Sequence, residues 1–114
     1  MKIAVDQLVA DIKDVATQVL SADISTVRGF SDRQVKAIAQ QAAYVAGGIA
    51  SGEITDETRD FFLDGIEDMA DNFVKTLRGL ASVTIEKIWN GVIGVIWKAI
   101  SGATGLVIPI HPMN

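Results

Sequence analysis

From residue 55 to residue 108 the chain contains no proline, and through that stretch its apolar residues return every three or four positions. Phe62, Ile66, Met69, Phe73, Leu77 and Leu80 make one seam, which resumes through Ile85, Ile88, Val92, Val95 and Ala99. A period near 3.6 residues places such a seam on one face of a helix. Unbroken over 56–100, that helix has roughly 45 residues and a length of about 67 Å at 1.5 Å per residue. Helices in globular domains are shorter, so the pattern predicts either an extended assembly or a break. Gly79 and the pair Gly91/Gly94 are the expected break points, each glycine costing about 1 kcal/mol relative to alanine.

Upstream, Val5, Leu8, Val9, Ile12, Val15, Ala16 and Val19 predict an amphipathic helix over about 3–20, with Asp6, Asp11, Lys13, Asp14 and Gln18 opposite. Ser21 to Gly29 reads as a connection with a short turn at Ile24 and Val27. A helix over about 32–50 carries the fullest start signal. Ser31 is its N-cap and Gln34 its capping-box partner, with Phe30 and Val35 placed as a hydrophobic staple. Val35, Ile38, Ala42, Val45 and Ile49 form its seam, its alanines keep it thin, and Gly52 is the left-handed stop. Thr55 is the expected N-cap of the third segment, whose Asp56, Glu57 and Asp60 suit the positive end of a helix dipole. Gly102, Gly105, Pro109 and Pro112 predict an extended tail over 102–114. The expected architecture is all-α and a single domain over 1–114: a helical hairpin, a long C-terminal helix with a kink at one of its glycines, and a proline-containing tail.

With 114 residues the chain can bury one real core. Its net charge of −4 and isoelectric point near 4.7 argue against nucleic acid, which calls for a basic face. No cysteine is present, so no disulfide, thiolate zinc site or cysteine nucleophile is available. Asp6, Asp11 and Asp14 interrupt any apolar run near the N-terminus, so no signal peptide is expected; a cytoplasmic location is expected, with membrane attachment left open.

Little in the sequence suggests catalysis. The one histidine, His111, stands between two prolines without an evident partner, and no nucleophile elbow or glycine-rich phosphate loop is present. The reading is therefore a non-enzyme with no cofactor and no metal. Asp60, Asp64, Glu67, Asp68 and Asp71 lie at helical spacing and form an acidic face, read as solvated or partner-facing rather than as a cation site.

The apolar block from Ile88 to Ile110 holds Lys98 as its one charge, with Trp89 and Trp97 inside it. About 20 apolar residues can span a bilayer, so insertion through 83–108, as in a membrane-active lysis factor, is one reading. Burial in a bundle or oligomer is the stronger one. Asn90 and Lys98 sit inside the span, glycine and proline break it, and tryptophans eight residues apart are only about 12 Å from each other. The expected packing and interaction residues are Val45, Ile49, Phe62, Phe73, Leu77, Ile88, Trp89, Val92, Val95 and Trp97. Their seams are longer than a monomer of this size readily covers, so a homo-oligomer or a larger protein assembly is expected. An inhibitor presenting the acidic face to a basic host protein is a further alternative.

The stretch Gly-Phe-Ser-Asp-Arg-Gln-Val-Lys-Ala-Ile-Ala-Gln-Gln-Ala-Ala at 29–43, followed by Thr-Arg-Asp-Phe-Phe-Leu-Asp at 58–64, resembles small helical proteins encoded in tailed-phage and prophage genomes. The resemblance spans about two-thirds of the chain, from Gly29 to Gly105, and carries no catalytic motif. It implies a phage-related context, either a virion or assembly component or a small protein acting on the host.

Overall fold

A computed structural model describes residues 2–113; Met1 and Asn114, the ends of the expected domain and tail, lie outside the described residues. Four helices are present among them: α1 (Val5–Leu20), α2 (Asp32–Ser51), α3 (Arg59–Lys75) and α4 (Ser82–Thr104), with a 3-10 turn at Ile24–Thr26. The all-α expectation holds. The molecule measures 42 × 27 × 19 Å, shorter than the unbroken helix alone would be.

The long C-terminal helix is therefore corrected to two. The chain leaves α3 at Lys75 and enters α4 at Ser82, and between them Gly79 adopts φ +80°, a left-handed conformation that favours glycine. The Thr76 hydroxyl donates to the Phe73 carbonyl at 2.8 Å and the Arg78 guanidinium to that of Lys75 at 3.1 Å, serving carbonyls that a continuing helix would have used. Of the two expected break points, Gly79 is the one used. Gly91 and Gly94 lie inside α4, where they thin the helix. A Cβ at Gly91 would stand 2.8 Å from Val15 Cγ2, so its absence lets α1 approach closely.

The reversal turns one long seam into two facing ones. α4 lies at the centre, packed against α1, α2 and α3, while α2 also packs on α1 and α3. From α4 the core receives Ile88, Trp89, Val92, Ile93, Ile96, Trp97 and Ile100; from the other helices it receives Ile12, Ile38, Val45, Ile66 and Phe73 among others. Fully burying a side chain of this kind contributes roughly 1.5–3 kcal/mol. None of the described helices is long and apolar enough to cross a membrane, and α4 ends at Thr104, short of the 83–108 span considered above.

Local signals account for most helix ends. The Gln34 amide donates to Ser31 Oγ at 3.2 Å, as the N-cap reading requires. The return half of the capping box is not made: Gln34 Oε1 lies 3.3 Å from the Thr76 hydroxyl instead. Gly52 closes α2 at φ +84° and Gly105 closes α4 at φ +79°, so the tail expected from 102 is corrected to begin after Gly105, with Gly102 inside the helix. The expected cap at Thr55 is corrected: Thr55 to Thr58 form a turn of their own, in which the Thr58 and Arg59 amides donate to the Thr55 carbonyl, and α3 begins only at Arg59. Three residues are lost from the expected start, and Asp56 turns away to pair with Arg59 at 3.0 Å.

Two connections lock together at one end of the bundle. Gly29, at φ +87°, lies so close to the α3–α4 linker that a Cβ there would stand 1.9 Å from the Thr76 carbonyl oxygen. The Arg78 amide donates to the Arg28 carbonyl at 2.8 Å, and Phe30 meets Phe73 edge-to-face with ring centroids 5.9 Å apart.

Candidate interaction surface

Seven of the ten residues expected to mediate assembly, Val45, Phe73, Leu77, Ile88, Trp89, Val92 and Trp97, are buried in the chain's own core. Ile49, Phe62 and Val95 are partly buried against it. The turn at Gly79 doubles the chain back on itself, so these seams are largely covered within one chain. The large apolar side chains that remain exposed are Tyr44, Phe61, Val83, Val107 and Ile110.

The acidic residues have a different fate. α3 buries Leu63, Ile66, Ala70, Phe73 and Val74, which turns Asp60, Asp64 and Asp68 outward and leaves Glu67 and Asp71 at the edge of the packed face. Among the described residues the ion pairs on this helix are Arg59–Asp56 and Lys75–Asp71 at 2.8 Å, and His111 Nδ1 lies 3.2 Å from Glu67. Asp60, Asp64 and Asp68 belong to none, so their charges are uncompensated. No group of three or more potential ligands close enough to hold a metal ion occurs among the described residues.

A second element completes this face. After Gly105 the tail turns back along α4: Ile110 Cδ1 lies 3.9 Å from where a Gly94 Cβ would stand, and His111 Nδ1 reaches Glu67 at 3.2 and 3.3 Å from its two oxygens. Between tail, α3 and α4 lie two hollows. One, of about 300 Å³, is lined by Asp60, Leu63, Asp64, Glu67, Trp97 and the tail from Leu106 to Pro109. The other, of about 730 Å³, is lined by Asp64, Glu67, Asp68, Asp71, Trp89 and His111 to Met113. His111 thus finds a carboxylate partner that its sequence neighbourhood does not show, 44 residues away.

Both hollows rest on a tryptophan. Trp89 and Trp97 are 2% and 3% exposed, and each buries an indole N–H with no hydrogen-bond partner. Asp71 is in the complementary position: Oδ2 holds Lys75, whereas Oδ1 is buried without a donor. An unpaired buried polar group costs about 1–3 kcal/mol. Such groups are uncommon in a folded chain, and these three all lie beside the acidic helix and the tail. The sequence flags the carboxylates and the tryptophans separately; what it misses is that the fold brings them together.

This arrangement gathers carboxylates around two tryptophans whose buried indole donors are unpaired. Compared with family models, with curated proteins and with solved structures, the chain matches none.

Proposed function

We propose that the protein is a non-catalytic helical interaction module that presents the acidic face of α3 to a basic segment of another protein. The observation that carries this reading is the run of uncompensated carboxylates, Asp60, Asp64 and Asp68, beside hollows lined by further carboxylates. Same-sign charge along a cleft raises the local concentration of a complementary partner and speeds its encounter. Burial of the apolar seams makes this reading preferable to self-association through α4, and a phage-related setting, as the resemblance implies, is compatible with it.

Binding of a fluorescent octapeptide of alternating arginine and serine tests the proposal, with a glutamate–serine octapeptide as control. The arginine peptide should bind, and its affinity should fall as salt rises and screens exposed charge. The double substitution Asp64→Asn/Asp68→Asn should weaken it about tenfold, corresponding to about 1.4 kcal/mol. Equal affinity for the two peptides, or an unchanged affinity in the double variant, would overturn the reading.

A further inference from the structure

We propose that residues 106–113 form a displaceable strap over the groove between α3 and α4, and that an extended basic segment of the partner takes the strap's place. This rests on the basic-partner reading above and assigns it a site.

The first argument is how the tail is held. Past the Leu106 amide, which donates to Thr104 Oγ1 at 3.3 Å, no hydrogen bond among the described residues uses a backbone group of the tail. Pro109 and Pro112 have no N–H to offer. The attachments are side-chain ones: Ile108 and Met113 against the core, and a His111–Glu67 contact in which the histidine is 60% exposed. A segment held in this way can be exchanged without opening any helix.

The second argument is what the strap leaves unsatisfied. It shares the lining of two hollows with Trp89 and Trp97, whose buried indole N–H groups have no partner. A replacement that supplied acceptors there would fit the groove better than the tail does. Trp89 and Trp97 are eight residues apart on one helix, about 12 Å along its axis. The tail itself shows that the groove admits non-helical chain. Arginine or lysine side chains from such a segment would meet Asp64, Asp68 and the unpaired Asp71 oxygen, where an acidic peptide would be repelled.

The test compares three proteins with the arginine–serine octapeptide at low salt: the full chain, a truncation ending at Gly105, and the full chain carrying Ile108→Ser. If the tail competes, apparent affinity is reduced by the fraction of molecules in which the groove is open. Both altered proteins should then bind about tenfold more tightly than the full chain, and the Trp89 indole proton should shift on binding. Circular dichroism establishes that each protein is folded, and Ile108→Ser carries the test alone if the truncation is not. Equal affinity in all three would overturn the strap while leaving the basic-partner reading intact. An equal gain for the glutamate–serine peptide would overturn it too, showing only uncovered apolar surface. Failure of all three to bind the arginine peptide would overturn both.

Discussion

Two non-helical segments finish the packing of this bundle, and they do so in opposite ways. At the joint between residues 28–31 and 76–81, backbone meets backbone. Gly29 lies against the Thr76 carbonyl, the Arg78 amide donates to the Arg28 carbonyl, and the Thr76 hydroxyl lies 3.3 Å from both the Gly29 carbonyl and Gln34 Oε1. Along the tail, side chains alone make the contacts, and buried donors beside it go unpaired. Both cover apolar surface. The first fixes where α3 and α4 turn, and no other segment could substitute for it; the second occupies a place that other chains of suitable chemistry could fill.

Breaking the joint should cost most. Gly29→Ala combines a left-handed φ with a Cβ driven into backbone, and Phe73→Ala removes the ring on which Phe30 packs. Each should destabilise by about 3–5 kcal/mol, read as a lowered denaturation midpoint with little change in slope. A loss under about 1 kcal/mol for Gly29→Ala would mean that the joint is looser than its geometry.

Next in size is Ser31→Ala, which removes the cap at the joint's edge and should cost about 1 kcal/mol by the same measurement. On the tail, His111→Ala should stay within about 0.5 kcal/mol, because an exposed pair contributes little. Amide hydrogen exchange sharpens the contrast within one experiment: the Arg78 amide should be protected, and those of Val107, Ile108 and Ile110 should exchange rapidly.

The connection between α1 and α2 gives the smallest effect. Ser25 donates its backbone N–H at 2.9 Å and its hydroxyl at 2.8 Å to Asp23 Oδ1, and these bonds, the backbone one first, hold that carboxyl below its usual value of 3.8. A carboxyl lowered on folding adds stability that is present above its unfolded pKa and is lost as pH falls through the folded value. Asp23→Asn should therefore lower Tm slightly at pH 7, and the difference from the parent chain should shrink as the solution is acidified below the usual carboxylate range.

Signals that act within a few residues were legible in the sequence: the Ser31 cap, the left-handed stop at Gly52, and the weak point at Gly79. Contacts between distant residues were not. Nothing near Gly29 announces that Thr76 will press against it, and nothing near His111 points to Glu67. Gly91 reads as a helix breaker because propensity counts its flexibility, whereas in the fold the missing side chain makes room for Val15. The apolar seam shows the deeper ambiguity. Periodicity establishes that a face must be covered, and is silent on whether the same chain or another covers it. The acidic face was legible as a face; its joining with two indoles and a returning tail was not.

The placement of the two indoles also decides what light can report about this molecule. The chain has two tryptophans, and both lie on the side of α4 next to the tail. Their emission is therefore a local witness. It registers water reaching that flank of α4 before it registers separation of α1 from α2, which carry no indole. A fluorescence-detected unfolding curve that precedes the one seen by far-ultraviolet dichroism would then mark opening of the flank where the tail and α3 cover α4.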